Sequence, residues 1–190
     1  MKLFGVILST LAIFTLVAGC IGNTPATSKT ENADFIVKGI LERLWADRPP
    51  YETVNGNWVW KDIVETSTYF DGDLEGTSVQ KVTQEVNPKI VKPNIAGIDY
   101  VSIHIEGTFT GTVKGKSGTF SYTGIILGGN EFKGTATPTT GYFREEHYTI
   151  INGTSELSNL CGTFGGTVWC FKGSASQSGG SYVGTLRFKD

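Results

Sequence analysis

The chain has 190 residues, 16 basic and 18 acidic side chains, a formal net charge of −2 at pH 7, two histidines and three cysteines. This is one domain's worth of chain, and the slight acidity with no basic stripe argues against nucleic acid as a partner. So few histidines and cysteines, with no recognised ligand spacing, imply no metal site and no cofactor.

The first residues, MKLFGVILSTLAIFTLVAGC, place Lys2 before an apolar run from Leu3 to Val17, followed by the small Ala18 and Gly19. A basic start, a short apolar core and a small-residue exit make a secretory signal. The run is shorter than the about 20 residues that span a bilayer, which weighs against a retained single-span anchor. Val17-Ala18-Gly19-Cys20 resembles a lipoprotein box, implying cleavage before Cys20 and lipid on its thiol. Each buried methylene adds about 0.8 kcal/mol, so two or more chains anchor durably where one does not. The expected organisation is a signal peptide over residues 1–19, a lipidated tether over 20–33 and a barrel domain over 34–190. The protein would then be exported and held on the membrane outside the cytoplasm.

Beyond Asp34 the first segment is ambiguous. In FIVKGILERLWA, Phe35, Ile36, Ile40, Leu41, Leu44 and Trp45 fall near helical spacing, yet Gly39 interrupts the pattern and Arg48-Pro49-Pro50 stops it, so strand and helix both remain open. The rest reads as short extended runs: WVWKDIVETSTYF, LEGTSVQKVTQEV, GIDYVSIHIEGTFTGTV, GTFSYTGIIL, EFKGTATP, YFREEHYTII, FGGTVWCF and SYVGTLRF. Turns FDGD, KGKSG, LGGNE and QSGG separate them. Val101, Ile103, Ile105 and Phe109 alternate with Ser102, His104, Glu106, Thr108 and Thr110, so one face is packed and the other wet. About eight strands with no helix to cover them bury their apolar face by closing on themselves. The expected fold is all-β, a closed antiparallel barrel, with a two-sheet sandwich as the alternative. Glycine, 25 of 190 residues, is nearly double the roughly 7% norm, as bulges and tight bends in a small barrel require.

Several stretches resemble a family of small, mostly bacterial barrel proteins of unknown function related to allene oxide cyclase. KGILERLWADRPPYE is similar to its opening strand through Gly39, Trp45, Pro50 and Tyr51, and FDGDLEGTS to its second hairpin. GTVKGKSGTF resembles a glycine turn of the family, with Lys114 in place of a small residue. GTSELSNLCG resembles a glycine loop shared with the dirigent proteins, with Ser155 and Asn159 where the family has glycine. The resemblance covers about residues 36–188 and implies an eight-stranded barrel of the allene oxide cyclase type. It brings no catalytic residue.

Candidate site residues follow from position. Cys161 and Cys170, in an exported chain, are expected to form a structural disulfide. His104 with Glu106, and Glu145 with His147, each share a strand face, and their apolar neighbours place both pairs on the solvated side. Glu75 and Glu156 lie in glycine loops, where a carboxylate either caps backbone N–H groups or acts as a weak catalytic candidate. Trp58, Trp60, Phe120 and Tyr122 are the candidate ligand-binding aromatics, since an eight-stranded barrel is either just filled or holds one small ligand. Asn152-Gly153-Thr154 fits an N-glycosylation acceptor. The reading that results is a lipid-anchored barrel binding a small apolar ligand or a surface partner without catalysis, with oligomerisation open. The alternatives are an isomerase or cyclase acting inside the barrel, and a purely structural surface protein.

Overall fold

The computed structural model describes residues 33–45, 49–89, 100–128, 131–133, 140–171 and 178–190. The signal segment, Cys20 and the tether lie outside the described residues. Ten strands follow in chain order: β1 (Phe35–Trp45), β2 (Glu52–Val54), β3 (Asn57–Phe70), β4 (Leu74–Val86), β5 (Tyr100–Val113), β6 (Lys116–Gly128), β7 (Glu131–Lys133), β8 (Thr140–Ser155), β9 (Leu160–Phe171) and β10 (Ser178–Phe188). Their order in the sheet is β1-β10-β9-β8-β6-β5-β4-β3-β2, and β1 pairs with β3 as well as β10. Eight long antiparallel strands therefore close on themselves, while β2 and β7 pair with β3 and β8. That double pairing of β1 decides against a sandwich, which would leave it one neighbour short.

The ambiguous first segment is strand β1. Val37, Leu41 and Arg43 are buried, whereas the intervening Ile36, Ile40 and Leu44 are exposed. Two ladders of cross-strand hydrogen bonds outweigh a helical pattern already broken by Gly39.

One end of the barrel is closed by tight turns. Between β5 and β6 only Lys114 and Gly115 turn the chain, at φ 47° and 81°, the left-handed pair that a two-residue hairpin needs. Lys114, which resembles no small residue, is held there: its N–H reaches the Asp73 carbonyl at 2.8 Å and its ammonium the Asp73 carboxylate at 3.0 Å. Asp73 also accepts from the Lys38 N–H at 2.9 Å, and that bond, with Lys114, lowers its pKa. Ser155, at a glycine position of the resembled loop, takes the conformation a glycine would, with φ 56°. The turn after it folds back so that Leu157 is wholly buried against the barrel end.

Large and small residues alternate across the inner face. Tyr122 lies directly opposite Gly107, Tyr148 opposite Gly124, Phe164 opposite Gly184 and Tyr182 opposite Gly39. At Gly39, Gly107 and Gly124 a Cβ would collide with the partner ring, and at Gly184 with the Phe164 Cβ and the Thr163 carbonyl. Inward glycines thus make space for rings that span a narrow barrel, which accounts for part of the glycine excess in physical terms.

The expected disulfide is absent, and the topology shows why. Cys161 is a free thiol whose Sγ–H points at the Arg187 carbonyl, 3.6 Å away. Cys161 and Cys170 belong to the same strand, opposite Arg187 and Ser178 at its two ends. Nine residues of extended chain separate them by about 30 Å, against the about 7 Å limit between bridged Cα atoms. Strand β9 already begins at Leu160, so Cys161 is a strand residue and cannot fold back towards Cys170.

Candidate functional site: the barrel interior and its rim

Inside the barrel, beyond the turn end, lies an aromatic cluster. Phe109 and Phe120 stack at 4.8 Å between ring centroids, Tyr122 meets Tyr148 edge-on at 4.9 Å, and Tyr148 meets Phe164 at 5.0 Å. Tyr69 joins through Phe109 at 5.5 Å and Tyr182 at 5.4 Å. Tyr182 anchors its ring by accepting from the Leu74 N–H at 2.8 Å. Burial pushes the Tyr69 hydroxyl up to about 12 and raises Tyr122 and Tyr148 well above the usual phenol value.

Next to these rings sits a buried charged network. Arg43 and Glu65 are 0% exposed, Glu146 1% and Arg144 3%. Arg43 grips Glu146 with two nitrogens, one bond being 2.9 Å, and donates to Ser67 Oγ at 2.9 Å. Arg144 grips Glu65 in the same forked manner, at 3.1 and 2.7 Å, and its Nε donates to Glu146 at 2.6 Å. Tyr148 donates its hydroxyl to Glu146, Gln80 donates to Glu65 at 2.7 Å, and Tyr122 donates to Gln80 at 2.9 Å. Two guanidiniums and two carboxylates cancel in charge, and forked pairs fill the planar donors of arginine. Burial alone pushes the Glu146 carboxyl up, but Arg144 and Arg43, with hydrogen bonds from Arg43 and Tyr148, outweigh it and hold the pKa at about 2. Burial likewise works against both arginines' charge, and the carboxylates overcome it, raising their pKa further.

A few polar atoms in this interior are left over. The Gln84 amide oxygen has no hydrogen-bond partner among the described residues. The Tyr69 and Ser78 hydroxyls make no hydrogen bond of ordinary geometry, although Ser78 lies close enough to oppose the burial-driven rise at Tyr69.

At the end opposite the Asp73 and Lys114-Gly115 turns, β3 carries Trp58 and Trp60 opposite Val86 and Gln84 of β4. A bulge between Trp60 and Ile63, with Asp62 at φ 55°, restores the inward face for Ile63, Glu65, Ser67 and Tyr69. Tyr51 leans over both indoles, at 5.1 Å from Trp58 and 5.4 Å from Trp60, and the indoles meet edge-on at 6.2 Å. Both tryptophans are half-buried and Tyr51 is exposed, so this rim cluster presents ring surface to solvent.

The structure brings Trp58 and Trp60 together and keeps Phe120 and Tyr122 apart from them. Phe120 pairs with Phe109, and Trp60 with Gln84 beside Ile103. Six residues of β5 between those levels amount to about 20 Å. Phe120 and Tyr122 belong to the packed interior, 1% and 2% exposed. Glu75 is on the outer surface. Glu156 is also exposed, and its carboxylate accepts from the Ser117 N–H at 2.7 Å, tying the turn before β9 to the start of β6. His104 and Glu106 lie outside, 3.2 Å apart, and Glu145 and His147 lie outside on β8. Asn152 is exposed on β8 opposite Ser121.

The ion-pair residues escaped the sequence reading, though a signal existed. Once FREEHYTI is set as a strand with Tyr148 and Ile150 inward, Arg144 and Glu146 must share that side. Glu145 and His147 drew attention because they look like chemistry; the residues between them are the buried ones.

The fold defines the class: an all-β, closed, eight-stranded antiparallel barrel with a buried aromatic cluster. A solved structure of similar shape is a Shewanella oneidensis protein with unknown function from the DUF3224 family, with a TM-score of 0.56 and 16% identity over 83% of this chain and 99% of that one. At that identity the likeness is one of fold. No protein-family model and no curated protein matches the chain.

Proposed function

We propose that this is an exported barrel, anchored through lipid on Cys20, that binds a small, mostly apolar molecule at its rim without turning it over. The kinship with allene oxide cyclase-type barrels read from the glycine turns belongs to the same proposal. The observation that carries it is the cluster of exposed Tyr51 with half-buried Trp58 and Trp60, with centroids 5.1 to 6.2 Å apart, at the end of an interior that holds a buried aromatic cluster. Aromatic rings left partly in water at the barrel's rim favour a ligand with a flat apolar face. Glu75 and Glu156 face solvent, so acid–base chemistry inside the barrel would fall to Glu65 and Glu146. Both are engaged by forked arginines, an arrangement suited to holding shape more than to moving protons, and this favours binding over isomerisation.

The test is a thermal-shift and tryptophan-fluorescence screen of the exported protein against lipids, terpenoids and phenolics. At least one compound should raise Tm and quench emission, and Trp58→Ala with Trp60→Ala should abolish both effects. A panel that shifts nothing would end the proposal. Mass spectrometry of the envelope fraction should find acylated Cys20 at the N-terminus.

A further inference from the structure

Gln80 and Gln84 share the inward side of β4, and both are buried, at 0% and 1% exposure. Their amides are used very differently. Gln80 donates to Glu65 at 2.7 Å, and its oxygen accepts from the Tyr122 hydroxyl at 2.9 Å. The Gln84 amide oxygen accepts from no donor among the described residues. The layers of the barrel explain the contrast. Val82, between the two glutamines, lies opposite Ile63 on β3 and Ile105 on β5, and all three are buried. This aliphatic layer separates Gln84 from the ion-pair network that engages Gln80.

On the far side of that layer the cross-strand neighbours of Gln84 are Trp60 on β3 and Ile103 on β5. Directly opposed residues hold their Cβ atoms about 5 Å apart on one face of the sheet. The amide therefore lies beside an indole of the rim cluster, among side chains that are otherwise apolar. An apolar molecule seated on Trp60 meets one buried acceptor to which the described residues supply no donor. Leaving a buried acceptor unmatched is costly, so a ligand that brings a donor gains where one carrying only an ether oxygen does not. The same rule underlies strong discrimination by sites built around one hydrogen bond.

We propose that Gln84 sets the selectivity of the rim site, whose ligand carries a hydroxyl or N–H on its apolar frame and donates it to the Gln84 amide oxygen. This rests on the rim reading and narrows its ligand class to an apolar ring system with a hydrogen-bond donor, of which a phenol is the simplest example. A bare hydrocarbon or an ether is disfavoured.

The test is equilibrium dialysis of the exported protein with 2-naphthol and with 2-methoxynaphthalene, which share a flat ring system and differ in the donor. The naphthol should bind about tenfold more tightly, the worth of one hydrogen bond to a buried acceptor. Gln84→Met, similar in length but without the amide, should erase that difference by weakening the naphthol. Trp58→Ala with Trp60→Ala should weaken both probes. Near-ultraviolet circular dichroism checks that the variants remain folded, and the comparison of the two probes on the unsubstituted protein needs no variant. Equal binding of the two, tighter binding of the ether, or a preference that survives Gln84→Met would overturn the role of Gln84 and leave the rim reading standing. Binding of neither probe, or binding untouched by the double tryptophan substitution, would overturn the rim reading and this inference with it.

Discussion

Glu146 concentrates the electrostatics of this protein in one side chain. Its carboxyl is 1% exposed, bound by Arg43, Arg144 and Tyr148, and held at about 2 against an ordinary 4.5. A carboxyl whose folded pKa is lowered contributes stability that is fully present above its unfolded pKa and lost as pH falls through the folded one. Stability should therefore decline between about pH 4.5 and pH 2, measured as the urea midpoint against pH. Glu146→Gln should cost about 3–5 kcal/mol at neutral pH, because it leaves buried guanidinium charge uncompensated, and the variant's midpoint should vary less over the acid range. An unchanged acid limb in the variant would contradict this account.

Within each strand pair, stability rests on fitting rings over glycines as well as on the hydrogen-bond ladder. Gly107 and Gly179 both lie in strands, but their surroundings differ. A Cβ at Gly107 collides with the Tyr122 ring, whereas at Gly179 the nearest atom is the Leu41 carbonyl at an ordinary 3.7 Å. Gly107→Ala should destabilise by about 1–3 kcal/mol through overpacking, or about 2–4 °C in Tm for each kcal/mol. Gly179→Ala should be near neutral by comparison, and calorimetry of the two variants side by side checks the contrast. On the outer face, Thr68, Thr77, Thr110, Thr119 and Thr154 form an unbroken row across five strands. Thr110 and Thr119 touch through their hydroxyls at 3.2 Å. Such pairs add about 0.2–1 kcal/mol each.

For the molecule as a whole, closure takes the place that a covalent staple was expected to fill. β1 joins β10 to β3, the Asp73 turn ties β1 to the hairpin of β5 and β6, and Leu157 seals the turn end. Thiol reduction should leave Tm unchanged, and intact-mass analysis after alkylation without a reductant should show no bridge between Cys161 and Cys170. A reductant-dependent fall in Tm would contradict the strand placement of both cysteines.

Much of the architecture was legible in one dimension. Alternation in 101–110, glycine turns such as Lys114-Gly115 and the sheer number of short extended runs argued for an antiparallel sheet, and the absence of covering helices favoured closure over a two-sheet sandwich. Outward placement of His104, Glu106, Glu145 and His147 followed from the same period of two. Cys161 was misread because a strand's first residue depends on its partner across the sheet. Arg43, Glu65, Arg144 and Glu146 come from β1, β3 and β8, and their alternation with apolar neighbours could have marked each as inward. That they meet is set by the stagger of strands around the barrel, which no local pattern encodes. The sequence by itself determined which side of each strand is wet and where the chain must turn. Tertiary structure alone decided which inward side chains share a level, because register is a property of paired strands and closure a property of all eight together.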